Sequence, residues 1–99
     1  ACSPGVIEGE VSVVISIDKL DQLRTETILV TKFTDTGWTP VFSKIAGLIT
    51  ETGGLLSHGA IVSREFGIPA VLAVSGITEQ LKSGMRVRLN GDTGQVTVL

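Results

Sequence analysis

The chain's only histidine, His58, follows the glycine pair Gly53-Gly54 and stands beside Ser57 and Gly59. An apolar run, Ile45 to Thr50, leads into the glycines, and a helix is predicted to begin near Ser57. A strand end, glycines and a helix start leave the first-turn N–H groups of the helix unpaired and pointing outward. The macrodipole adds partial positive charge there, so the place suits an anion, phosphate above all. Glycines remove side chains that would block a close approach. The same dipole disfavours an imidazolium at a helix start, and a neutral imidazole can be a nucleophile. If His58 attacks a phosphoryl group, the product carries its negative charge where the N–H groups wait. Arg64, about two turns further on, could steady phosphate oxygens, although from position i+6 it does not overlie His58.

Each of these residues also has a plainer reading. Gly53-Gly54 suits a simple turn, Ser57 an N-cap, and Arg64 a pairing with an acid on a solvated helix face. No Gly-Lys-Ser/Thr follows the glycines, so this is not a Walker A loop, and the Gly-x-Gly-x-x-Gly spacing of a dinucleotide site is absent. No acidic cluster that would hold Mg²⁺ stands out, and no metal site is expected in this chain.

The elements that must position His58 can be read around it. Residues 1–9 are punctuated by Pro4, Gly5 and Gly9 and read as loop, and Glu10 to Ile17, rich in valine and isoleucine, as a strand. Asp18 to Thr25 is predicted to form a helical turn or two. Thr27 to Thr31 is a continuous apolar run that fits a strand covered on both faces. Lys32 to Pro40 reads as loop, with a short helix starting near Pro40 and anchored by Trp38 and Phe42. Ala60, Ile61, Val62 and Phe66 are predicted to supply the buried stripe of the His58 helix, which Gly67 and Pro69 close. Pro69 to Val74 is predicted as a strand, and Ser75 to Lys82 as a helix capped by Ser75 and ended by Gly84. Met85 to Asn90 and Gln95 to Leu99 alternate as strands joined by Asn90-Gly91-Asp92-Thr93-Gly94, a hairpin signal. The sum is an α/β domain of roughly six strands and two or three helices.

Composition narrows the partners. A chain of 99 residues, 42% hydrophobic and 18% charged, is one globular domain's worth. Its net charge of -2 and scattered basic residues offer no field for nucleic acid, and its few aromatic residues no stacking platform. Arg86 and Arg88 alternate onto one face of a strand, most simply a solvated one. Cys2 is the single cysteine, which fits a reducing, cytoplasmic setting. No apolar run is long enough to span a bilayer, and no signal peptide is visible. The chain starts at Ala1 without a methionine, so it is expected to be processed or to be a piece of a longer protein.

Thr50, Gly53, Gly54, Ser57, His58, Ala60, Ile61, Arg64, Gly67, Ile68, Pro69, Ala70 and Val71 match in register the phosphohistidine signature of the PEP-utilising enzymes. That family includes phosphoenolpyruvate synthase, pyruvate phosphate dikinase and enzyme I of the sugar phosphotransferase system. Ser3-Pro4-Gly5-Val6 resembles the family's opening loop and first strand. Trp38-Thr39-Pro40 resembles the segment before its third strand, and Asn90 to Val96 its closing hairpin. The resemblance therefore covers nearly all of residues 1–99. It implies the swivelling domain, a three-layer β/β/α fold with hinges near Ala1 and Leu99. It also implies a role: His58 as phosphoryl carrier, framed by Thr50, Gly53, Gly54, Ser57, Gly59 and Arg64. The partners it implies are a nucleotide-binding domain, where ATP phosphorylates the histidine, and an acceptor domain holding pyruvate, with Mg²⁺ at both. The chain alone is not expected to be active.

Three positions depart from the synthase, dikinase and enzyme I groups. Gly59 replaces alanine, threonine or a similar side chain, and Leu55-Leu56 replaces a more polar pair. All three look closer to the branch that contains rifampicin phosphotransferase. The first expectation is a carrier domain of a phosphoenolpyruvate synthase-like enzyme. The alternatives are the carrier of a rifampicin- or phenol-type phosphotransferase, or a stand-alone swivelling domain that binds a partner protein or an anion.

Overall fold

Two stretches, Ile28–Thr31 and Gly47–Thr50, are buried at every residue, as strands covered on both faces must be. The computed structural model, which describes residues 5–14, 27–32, 42–52 and 58–99, shows them as β2 and β3. They are flanked by β1 (Val6–Val13), α1 (His58–Phe66), β4 (Ala70–Val71), α2 (Ile77–Gln80), β5 (Arg86–Asn90) and β6 (Gln95–Val98). The strand order is β4-β3-β2-β1-β5-β6. β1 to β4 run parallel to their neighbours in that half, whereas β5 is antiparallel to both β1 and β6. The predicted helical turn over residues 18–25, Trp38, Pro40, Gly53, Gly54 and Ser57 lie outside the described residues.

β1 serves two sheets. Val11–Val13 pair with β2, while Val6 to Glu10 pair with Asn90 to Arg86 of β5. The sheet folds over at this strand, so that β5 touches β4 although three strands separate them in the order. Side-chain alternation then divides the core in two. Ile28, Val30 and Ile49 face Val87 and Leu89 between the two β layers, with Ile77 and Leu81 of the α2 segment beside them. Leu29, Leu48 and Ala70 face the other way, toward Phe42, Ile45 and Ile68, with Val62 of α1 packed on them. The result is the expected α/β fold of three layers, β/β/α. The β layers approach closely at Gly47, where a Cβ would lie 2.6 Å from Ile7 Cδ1 and 2.7 Å from Leu89 Cδ2.

Residues 6–9, read as loop, are strand. Gly9 punctuates them locally, but their partner in β5 decides the conformation, because strand preference depends on what the strand packs against. Strand β4 is shorter than the predicted 69–74. Ala73 turns to φ 62, the one positive φ of a non-glycine among the described residues. The chain leaves the sheet there, and Val74 N donates to Thr50 O at 2.9 Å. The predicted helix near Pro40 is, in the described residues, a single 3₁₀ turn at 42–43.

α1 ends as its sequence suggests. Gly67 takes φ 68, Gly67 N donates to Arg64 O at 3.3 Å and Ile68 N to Ser63 O at 2.9 Å, the paired bonds of a Schellman cap. Its buried face differs from the predicted stripe. Gly59, Ala60 and Ser63 are buried, whereas Ile61 is 41% and Phe66 47% exposed. The sheet surface below is already filled by Leu29, Leu48 and Phe42. Small residues let the helix axis approach that surface, since helix packing distance follows the side chains at the contact.

α2 is also shorter than predicted, and Ser75 does not cap it. Gly76, at φ 74, is the N-cap and makes no side-chain cap bond. The hairpin from Asn90 to Gly94 forms as read: Asn90 Oδ1 accepts from Asp92 N at 3.0 Å and Thr93 N at 3.1 Å. Arg86 and Arg88 are exposed on β5. Arg88 Nε lies 2.7 Å from Glu8 Oε2, its cross-strand partner, an exposed pair worth about 0–1 kcal/mol.

Candidate functional site

The last residue of β3 and the two that follow it are held from both sides. Thr50, 1% exposed, donates its hydroxyl to Thr52 O at 2.6 Å, and its carbonyl accepts from Val74 N. Glu51 N donates to Thr31 O and Thr52 N to Lys32 O, each at 3.1 Å. The Thr52 hydroxyl also donates to Lys32 O, at 3.0 Å. On the α2 side, the Glu51 carboxylate accepts from Thr78 N at 3.0 Å and from the Thr78 hydroxyl. These bonds favour the anion, the hydroxyl first and the N–H second. They hold the Glu51 carboxyl below its ordinary value of 4.5, with Lys32 adding to the shift and burial opposing it.

His58 is the first residue of α1 and is half-buried. Its ring stands edge-on to Phe42, with centroids 5.8 Å apart and planes at 71°. Phe42, 1% exposed, also meets Phe66 at 6.2 Å, so one buried ring supports both ends of this helix face. The first turn of α1 carries no acidic residue, and the last turn carries Arg64. That distribution opposes no negative group at the helix start and complements the dipole at its end.

Of the residues singled out in the sequence, Thr50, His58 and Gly59 lie at the ends of β3 and α1 that the 51–57 segment joins. Gly59 is buried against the sheet. Arg64 is not on the His58 face. It lies about 120° around the helix axis from the histidine, and its Nε donates to Ala60 O at 3.2 Å. That bond draws the guanidinium stem back toward the N-terminal end of α1. Gly53, Gly54 and Ser57 fall outside the described residues.

Two residues that meet the site were not read as part of it in the sequence. Phe42 was legible there as an anchor, but its contact with His58 spans a loop and has no sequence signal. Glu51 lies inside the matched motif, yet nothing in the sequence pairs it with Thr78. Among the described residues, no group of three or more His, Cys, Asp or Glu side chains is gathered that could hold a metal ion. No helix among them is long and apolar enough to cross a membrane.

Comparison with known proteins places this geometry. The family model "PEP-utilising enzyme, mobile domain" matches residues 23–94. Rifampicin phosphotransferase of Bacillus cereus is 47% identical over 97 residues, which is 98% of this chain and 11% of that protein. Phosphoenolpyruvate synthase of Aeropyrum pernix is 40% identical over 95 residues, 95% of this chain and 12% of that protein. The solution structure of an Enzyme I protein superposes with a TM-score of 0.68 at 32% identity, covering 80% of this chain and 33% of that one. The chain thus spans only about a ninth of the length of these curated relatives. The matched segment runs from before β2 through β3, α1, β4, α2 and β5, and the chain belongs to the PEP-utilising enzyme family as its mobile domain.

Proposed function

We propose that this domain is the phosphoryl carrier of a larger ATP-dependent phosphotransferase and that His58 is the residue phosphorylated. The observation that carries this reading is the place of His58: it opens a helix with no acid in its first turn, and residues 51–57 join that helix to a strand end fixed by hydrogen bonds. An imidazole nitrogen there forms the bond to phosphorus as the bond from phosphorus to the nucleotide oxygen breaks. In the second step the acceptor oxygen forms its bond to phosphorus as the phosphorus–nitrogen bond breaks, and the acceptor's proton passes to the imidazole nitrogen so released. Thr50, Gly53, Gly54, Ser57 and Gly59 frame the phosphoryl group, and Arg64 adds positive charge from along the helix. ATP and Mg²⁺ belong to a nucleotide-binding domain, and the acceptor to another domain of the same parent.

For the acceptor we favour rifampicin or a related compound, the substrate that the name of the Bacillus cereus relative gives. Its support is the higher identity to the Bacillus cereus protein together with Leu55-Leu56 and Gly59 around the histidine. Pyruvate is the second reading, supported by the Aeropyrum pernix synthase over nearly the same span.

The test is to incubate the parent enzyme with ATP labelled at the β- or γ-phosphate. Acid-labile, base-stable label on the wild type and none on His58→Ala is the expected result. Label that survives in His58→Ala overturns the carrier reading. Product formation with rifampicin or with pyruvate then separates the two acceptors.

A further inference from the structure

Glu51 is the one acidic residue in the segment between β3 and α1. Left to itself, its carboxylate would bring a like charge toward any phosphate at the start of α1. The structure holds it elsewhere. Leu48 belongs to the compartment beneath α1 and Ile49 to the one beside α2, and the two-residue period of the strand carries Glu51 to the Ile49 side. There it meets Thr78, whose N–H and hydroxyl both donate to Oε2. Thr78 is itself buried, so the anchor is part of the core rather than a mobile surface group. The neighbouring backbone is fixed as well, by Val74 N on Thr50 O and by Glu51 N on Thr31 O. α2 has no capping side chain of its own at Gly76, and the carboxylate that serves Thr78 N instead comes from the segment that leads to His58.

We propose that Glu51 is a positioning residue for phosphoryl transfer at His58. By gripping Thr78 it fixes the point at which the chain leaves β3, at residues 51–52, on its way to the helix that carries the imidazole. The same grip keeps its own charge away from the incoming phosphate. The inference rests on the phosphoryl-carrier reading of His58. A reacting group displaced by as little as about 1 Å can lose on the order of a hundredfold in rate, so an anchor one residue beyond β3 has leverage on the reaction without touching it.

The experiment is single-turnover labelling of the full-length parent enzyme with radiolabelled ATP. Rate constant and final labelled fraction are read separately. Glu51→Ala and Thr78→Val each lower the rate constant by about tenfold or more. Thr78→Ser, which keeps the hydroxyl, stays within about twofold of the wild type. If Glu51→Ala does not fold, the contrast between Thr78→Val and Thr78→Ser decides. A merely structural role lowers the labelled fraction and the melting temperature but leaves the rate constant of the folded molecules unchanged. That result, or wild-type rate constants in the variants, overturns the proposal. Absence of acid-labile label in the wild type, or label that persists in His58→Ala, overturns the carrier reading instead.

Discussion

The imidazole of His58 and the ring of Phe42 meet edge to face, 5.8 Å between centroids and 71° between planes. Such a pair contributes about 0.5–1.5 kcal/mol beyond the area it buries. Phe42→Leu keeps most of the volume, so the expected stability cost is about 1 kcal/mol. Phe42→Ala leaves a cavity and should cost about 3–5 kcal/mol. Urea denaturation measures both. In Phe42→Leu the ring-proton resonances of His58 should move, since the neighbouring ring current is gone. Unmoved resonances would show that the two rings do not meet in solution.

Protonation of Glu51 should weaken the fold in acid. Its folded value lies below its ordinary 4.5, because the Thr78 hydroxyl and N–H favour the anion. A lowered folded value means that the unfolded chain binds the proton more readily, so this stabilisation is complete above the ordinary value. It is lost as pH falls through the folded value. The stability difference between wild type and Glu51→Gln is therefore expected to be constant above about pH 6 and to shrink below 4.5. Urea titrations across that range check it, and a difference undiminished at about pH 3 contradicts the bond to Thr78.

Two buried hydroxyls, Thr31 Oγ1 and Ser63 Oγ, have no hydrogen-bond partner among the described residues. An unsatisfied buried polar group costs about 1–3 kcal/mol. Thr31→Val and Ser63→Ala remove the groups with little change of shape, and each should raise stability by about 1 kcal/mol, or about 4–8 °C in melting temperature. A fall in stability in either variant would mean that the hydroxyl is bonded in solution.

Ala73 holds a left-handed backbone at φ 62 and is exposed. That conformation costs an alanine about 1–2 kcal/mol, part of which the freer unfolded chain of a glycine takes back. Ala73→Gly should stabilise by about 0.5 kcal/mol and Ala73→Val should destabilise by more than about 1 kcal/mol. Equal melting temperatures for the three proteins would contradict the backbone turn that frees Val74 N for Thr50.

What the sequence made legible was local. β2 and β3 were readable from unbroken apolar runs, the hairpin from Asn90-Gly91, and the end of α1 from Gly67 and Pro69. His58 was singled out by residue type and spacing, and Thr50 by the resemblance to the phosphohistidine signature. The buried face of α1 was legible only in part: Ala60 and Val62 lie on it, but periodicity weighs apolar bulk and so put Ile61 and Phe66 there in place of the small Gly59 and Ser63. The start of β1 was hidden for another reason: its partner, β5, lies at the far end of the chain. The bond from Glu51 to Thr78 was beyond reach in the same way, since hydrogen bonds between distant segments leave no pattern in either one.

Because β1 belongs to both sheets, its two halves wait for different parts of the chain. Val11–Val13 find β2 early in the sequence, but Val6 must wait for Asn90. Contacts of such separation close late and slowly. On a ribosome, the carrier would remain unfinished until the terminal hairpin has emerged, with the first turn of its opening strand exposed until then. Emergence of the hairpin is thus the step that seals the domain.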